Sequence, residues 1–240
     1  MFIDVVASSI PEDPCPGGVW WVPDTPSKGK NTITAALFIH ASTMYYSITK
    51  TASYLTNAQT VYNWIQKSGA NNSDGIYFDG PQSPNCGFTK GEMLAAMGAL
   101  YAATGDKDYL NAGNATLHAL TTSADFNVNG TLFEHTCDAD ECTGGNKNDN
   151  AWAFKGIAMR SVQYFLDAAN DPAITSLYSP WIAFQATSIN ANAKNTDNDD
   201  IGNVWTRRGA QVFGASPMGM AVNAANAAVK YGANDGTFVC

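Results

Sequence analysis

Carboxylates in pairs come first in this chain, because cleavage of a glycosidic bond uses two Asp or Glu side chains held at a set separation. Asp199-Asp200 is the one Asp-Asp in the sequence, and it sits in Asn195-Thr196-Asp197-Asn198-Asp199-Asp200-Ile201-Gly202. Short Asp and Asn side chains bond their own backbone, so this run reads as a solvated polar loop. Asp74 and Asp79 flank Gly75-Ile76-Tyr77-Phe78 and read as turns on either side of a short extended piece. Two stretches start like calcium loops and fail. The one from Asp138 has Cys142 at its fifth position, and the one from Asp197 has Ile201 at the fifth and Arg208 at the twelfth, where a Glu is needed. No Gly-x-Ser-x-Gly elbow supports serine catalysis. Gly17-Gly18 runs into Val19-Trp20-Trp21 rather than Lys-Ser/Thr, so it is no phosphate cradle.

Two other groups carry chemistry of recognition. Trp20-Trp21 follows a flexible Gly pair, and indole faces form platforms on which the C–H surfaces of sugar rings stack; packing in a core is the competing reading. Lys155 and Arg160 place two cations five residues apart on one helical stretch, among Trp152, Phe154 and Ile157. A solvated face is the plain reading, but these apolar neighbours predict that at least one of the cations is buried and paired.

Cysteines stand at 15, 86, 137, 142 and 240, an odd number that leaves at least one unpaired within the chain. Cys137 and Cys142, in a Gly/Asp-rich stretch, read as a small loop disulfide, which belongs to an oxidising compartment. His135 is near them, but His40 and His118 fall inside apolar helical patterns, so no metal site is expected. Sequons at Asn71, Asn114 and Asn129 are compatible with secretion without showing it. The stretch from Met1 to Val6 lacks a basic start and a long apolar region, so it does not read as a signal peptide.

The elements that would position these residues are helices. The 240 residues are 45% hydrophobic, 11% aromatic and only 14% charged, which excludes a disordered chain. A net charge of -8 excludes a nucleic-acid partner, since phosphate neutralisation needs clustered Lys and Arg. No run of about 18 apolar residues reads as a membrane span. Apolar spacing of three and four predicts helices over 32–49, 53–68, 89–103, 107–122, 149–169, 172–193 (interrupted near Pro180) and 215–231. Gly75–Phe78 and Thr131–Phe133 read as short extended pieces. Tyr46-x-x-Thr49 followed by Tyr54-Leu55 recurs as Tyr101-x-x-Thr104 followed by Tyr109-Leu110, offset by 55 residues. Each copy is the end of one helix, a tight turn and the start of the next. Such αα-hairpins bury one face only against neighbours, so an all-α toroid of consecutive hairpins in a single domain over 1–240 is expected. The long loops 14–31, 71–89, 125–149 and 195–215 would then gather at one rim.

The chain resembles glycoside hydrolase family 76, whose members include endo-α-1,6-mannanases and fungal cell-wall proteins. The resemblance rests on Gly17-Gly18-Val19-Trp20-Trp21 for a Gly-Gly-x-x-Trp segment and Lys30-Asn31 ahead of a helix, with Ala35 where a second Asn is common. It continues through Tyr54-Leu55-x-x-Ala58 with Trp64, Asp79-Gly80, Phe88-Thr89-Lys90-Gly91, and Phe154-Lys155-Gly156 with Arg160. It implies an (α/α)6 barrel and a glycosidase of the endo-α-1,6-mannosidase type, acting on mannan or related cell-wall glycan, secreted or at the cell wall, as a monomer and without a cofactor. It also implies that Trp20 and Trp21 form a stacking wall, that Asn31 and Asp79 bond sugar hydroxyls, and that Lys155 and Arg160 orient acidic groups or loops. The family's catalytic pair is an Asp-Asp upstream of the Gly-Gly-x-x-Trp segment. Here sixteen residues precede Gly17 and hold only isolated Asp4, Glu12 and Asp13, so the barrel is expected to be incomplete at its start. The catalytic role does not pass to Asp199-Asp200, which lies in a different loop. Catalytic residues stay unassigned, and whether the chain is an enzyme stays open. The competing class is a carbohydrate-binding paralogue without catalysis.

Overall fold

The computed structural model describes residues 18–20, 30–78, 93–138 and 151–232. The chain divides into two compact units, Met1–Leu117 with Asp167–Ala169, and His118–Leu166 with Asn170–Cys240.

In the first unit, α1 (Thr32–Thr49), α2 (Ala52–Lys67) and α3 (Met93–Thr104) pack on one another, and α4 (Lys107–Thr122) begins here. Asn31 caps α1: its side chain accepts from the Thr34 N–H at 2.9 Å, which satisfies one of the four unbonded donors of a helix start and is worth about 1 kcal/mol. Every residue from Met93 to Leu100 is buried, so α3 is the central helix of this unit. Its partners are Ala35, Ala36 and Ile39 of α1 and Ala58, Val61 and Ile65 of α2. The small residues let the helix backbones approach closely.

The 55-residue repeat is a repeated turn. Lys50 and Gly105 both take the left-handed conformation, at φ 56° and 71°. Each donates its N–H at 2.8 Å to the carbonyl of the Tyr four residues earlier, Tyr46 or Tyr101. Thr49 and Thr104 bond back to the carbonyls of Tyr45 and Leu100, and their hydroxyls accept from the N–H groups of Thr51 and Asp106. Two hairpin turns with one hydrogen-bond plan explain why the same residue types recur at that offset. The extended piece at Gly75–Phe78 pairs through the bridge of Asn71 to Tyr77, Thr32 of α1 donates to the Phe78 carbonyl at 2.9 Å, and Thr116 of α4 donates to the Gly75 carbonyl at 2.9 Å.

The second unit opens with a hairpin, β1 (Asn127–Val128) and β2 (Thr131–Leu132), antiparallel with Asn127 opposite Leu132. Its two-residue loop is Asn129-Gly130, both at positive φ (52° and 80°), the mirror-image turn that matches strand twist. The short α5 (His135–Asp138) follows, then a 3₁₀ turn at Ala151–Ala153 that leads into α6 (Phe154–Ala169), α7 (Pro172–Asn192) and α8 (Ala215–Tyr231). Buried Gln185 of α7 joins the hairpin to this helix, accepting from Leu132 N–H at 2.7 Å and donating to Gly130 carbonyl at 2.9 Å. Thr131 and Ser188 share a 2.8 Å hydroxyl contact beside it.

One helix differs from its sequence reading. α7 runs through Pro180 without interruption. Proline removes one helix hydrogen bond, here from the exposed Ser176 carbonyl, which water can satisfy. Tyr178 on one side and Ile182, Gln185, Ser188 and Ile189 on the other are buried, and that packing holds both halves on one axis. The strand Asn127–Val128 and the helix His135–Asp138 were not expected from the sequence; both are too short to show a period. No described helix is long and apolar enough to cross a membrane.

Candidate functional site

The largest polar side chains that the fold buries, among the described residues, are two lysines, one in each unit. Lys30 immediately precedes the Asn31 cap of α1 and is 2% exposed. Its backbone pairs with Trp20 in an isolated bridge, which brings the described residues 18–20 back to the helix start. Its ammonium lies 4.6 Å from the Trp20 ring centre and 5.7 Å from that of Trp64 on α2. Both indoles present negative faces to the cation, a cation–π arrangement. Gly18 explains the glycine of that segment. It has φ +69°, and a Cβ there would come within 2.7 Å of the Trp64 ring.

Lys155, the second residue of α6, is also 2% exposed. A cation in a first helical turn opposes the helix dipole, so it needs compensation. Fully buried Asp138 supplies it through a short charged hydrogen bond from Lys155 Nζ. Nζ also donates to the Asn203 carbonyl at 2.6 Å and lies 4.7 Å from the Trp205 ring centre. The other Asp138 oxygen accepts from Glu134 N–H at 2.9 Å, and Arg207 donates to the Asp138 carbonyl at 3.1 Å. Asn203 in turn accepts from Val212 N–H at 2.7 Å. One ammonium therefore ties the helix α5, the start of α6 and the loop 194–214 together. Burial pushes the Asp138 carboxyl above the usual carboxylate range, and this outweighs the opposite pull of Lys155. In the same unit the Nε1 donors of Trp152 and Trp205 are buried without a hydrogen-bond partner among the described residues. Gly156, next to Lys155, is required by packing, because a Cβ there would meet Met220 Cα of α8 at 2.6 Å.

The six residues singled out in the sequence fall as follows. Trp20 and Asn31 flank Lys30 in the first unit, with Asn31 engaged as a cap. Lys155 is the buried, paired cation that its apolar neighbours predicted, and Arg160 lies half-buried farther along α6. Trp21 and Asp79 lie outside the described residues, as do Cys142 and the Cys137 side chain. Asp199-Asp200 is the solvated loop it reads as. Asp199 is 98% exposed and pairs at 3.3 Å with Lys194, and Asp200 accepts from Asn198 at 3.1 Å. Among the described residues no group of three or more His, Cys, Asp or Glu could hold a metal ion.

Lys30, Asp138, Asn203 and Trp205 were not identified as site residues from the sequence. Lys30 had a signal, as the first residue of Lys30-Asn31. Asp138 had none that separates it from Asp140 and Glu141 beside it.

The family model for glycosyl hydrolase family 76 matches residues 1–235. No curated protein matches the chain. Among solved structures, the α-1,6-mannanase GH76A of Salegentibacter sp. HEL1_6 is 19% identical with a TM-score of 0.73, as an inactive variant in complex with α-1,6-mannotriose. Dfg5 from Chaetomium thermophilum, in complex with glucosamine, is 20% identical with a TM-score of 0.74. The Lin0763 protein from Listeria innocua is 22% identical with a TM-score of 0.69. The matches cover 90%, 99% and 91% of this chain but 63%, 63% and 60% of those chains, so the chain spans less than two thirds of the length of these relatives. The shared fold is mostly helical, the α/α toroid type expected from the repeated hairpins.

Proposed function

Since the chain belongs to glycosyl hydrolase family 76, we propose that it acts on α-1,6-linked mannan or a related cell-wall glycan, outside the cell or at the wall. The observation that carries this reading is its likeness, over 90% of its length, to a mannanase seen with α-1,6-mannotriose. The buried lysines give the reading a physical basis. Lys30 holds one face of Trp20, so the indole is fixed as a rigid platform, and a sugar ring stacking on its other face loses little conformational entropy to the protein. Trp21 is assigned to the same stacking role, and Asn31 and Asp79 to hydrogen bonds with sugar hydroxyls, as the family resemblance implies. Lys155, buried and paired, serves by holding the loop 194–214 rather than by touching the glycan, and Arg160 is assigned the role of orienting acidic groups or loops. No cofactor enters.

A second reading, binding of the same glycan without cleavage, is favoured by the carboxylates. The only adjacent Asp pair in the sequence lies in an exposed loop, tied to Lys194. The inactive mannanase variant, by contrast, carries replacements at two neighbouring aspartates. Incubation of the purified chain with α-1,6-mannan, followed by analysis of the released oligosaccharides, decides between them. Release that persists in Asp199→Asn/Asp200→Asn supports an enzyme whose acid and nucleophile lie elsewhere. Release abolished by that change would move the catalytic role to the pair. Saturable binding with no release establishes the second reading, and neither binding nor release rejects the proposal.

A further inference from the structure

The three sequons are not equivalent in the folded chain. Asn114 lies within α4, half-buried, and the next two residues, Ala115 and Thr116, pack so closely on Gly75 that a Cβ there would come within 2.9 Å of their backbone. Asn71 is half-buried in the bridge to Tyr77, and its side-chain nitrogen donates to Gln66 at 3.0 Å. Asn129 differs. It is exposed at the tip of the β1–β2 turn in the left-handed conformation (φ 52°), which Asn tolerates better than most residues. Beside it lie two exposed apolar side chains, Val128 at 38% and Phe184 of α7 at 43%. The Phe184 ring borders the turn, since a Cβ on Gly130 would be 3.4 Å from its Cε1.

We infer that Asn129 is the site of an N-linked glycan, and that the first sugar of this glycan packs on Phe184 and Val128. This rests on the extracellular part of the proposed function, because the reaction occurs along the secretory route. In the transfer the Asn129 side-chain nitrogen bonds to C1 of an oligosaccharide carried on a lipid diphosphate. The C1–O bond to the diphosphate breaks, the lipid diphosphate leaves, and the amide gives up one proton to the surroundings. The Thr131 hydroxyl that completes the sequon is buried against Ser188 in the folded chain. Transfer therefore precedes closure of the hairpin onto α7. The finished fold then accepts a bulky group at an exposed tip and gives an otherwise wet aromatic ring a partner.

The test is expression in yeast behind a secretory leader, with site occupancy read by peptide mass spectrometry. Occupancy at Asn129, lost in Asn129→Gln and retained in Asn71→Gln/Asn114→Gln, is expected. If the chain is retained in the cell, the same readout is made on the microsomal fraction. Asn129 bare in secreted or microsomal material, whether or not the other sequons are modified, overturns the assignment. Trimming the glycan to its first sugar is expected to keep the melting temperature, and removing it altogether to lower it; in Phe184→Ala this difference disappears. An equal difference in Phe184→Ala overturns the packing. Because the leader forces the route, these outcomes are independent of mannan binding, which unglycosylated bacterial material tests separately.

Discussion

Lys30 and Lys155 pose the same problem and receive different solutions. Each is 2% exposed and each sits at the start of a helix. Around Lys30 the described neighbours include two indole faces, of Trp20 and Trp64. Around Lys155 they include one indole face, a carbonyl and a buried carboxylate. Aromatic faces hold a cation through the negative charge density above the ring. A buried ion pair is different, because removing one partner strands the other in a medium that cannot solvate it. The first lysine thus joins the Trp20 indole to Trp64 of α2, and the second fixes loops.

That difference is broken most sharply by Lys155→Met. It leaves the Asp138 carboxyl buried without its counter-charge and is expected to destabilise the chain by about 3–5 kcal/mol in urea unfolding. The double change Lys155→Met/Asp138→Leu removes both charges and recovers most of that loss; failure to recover would mean that the pair is not what Lys155 is there for. Gly156→Ala comes next, at about 1–3 kcal/mol, because the new methyl must push α8 away at Met220. Lys30→Met, which keeps the stem packing and removes the cation from the Trp20 and Trp64 faces, is expected to cost about 0.5–2 kcal/mol for the cation–π contact. A loss at Lys30 as large as that at Lys155 would erase the contrast.

The smallest effect is in pH. The Asp138 carboxyl is raised by burial in the folded chain, so below the ordinary carboxylate range its contribution to stability is fully present, and it is lost as pH rises through the raised value. In the first unit burial raises Tyr62 and Tyr77. Their contribution is complete below pH ~10 and falls as pH rises above it, because the unfolded phenols ionise first. Stability measured against pH should therefore lose the part of its acid-side dependence that Asp138 supplies in Lys155→Met/Asp138→Leu, and part of its alkaline fall in Tyr62→Phe. Each variant should leave the other limb unchanged.

Most helices were legible in the sequence because an apolar period of three to four survives wherever one helix face is buried. The repeated turn was legible because a helix end, a threonine and a tyrosine recur at one offset. Pro180 misled because its exposed neighbour needs no helix partner, while packing on either side decides the axis. The site was legible only in part. Trp20 and Lys155 stand out as bulky or charged residues in contrary company. Asp138 does not, because it is 17 residues from Lys155 in an acidic stretch, and only tertiary structure says which carboxylate is buried. Trp64 reads as one more apolar position on α2 until Gly18 and Lys30 are folded against it.

Titration of α-1,6-mannotriose into the purified chain by calorimetry tests the central claim most directly. Saturable heat that is lost in Trp20→Ala and kept in Lys30→Met at weaker affinity is the expected result. A chain that melts cooperatively yet shows no heat with the trisaccharide, or binds it equally well without Trp20, would contradict the account.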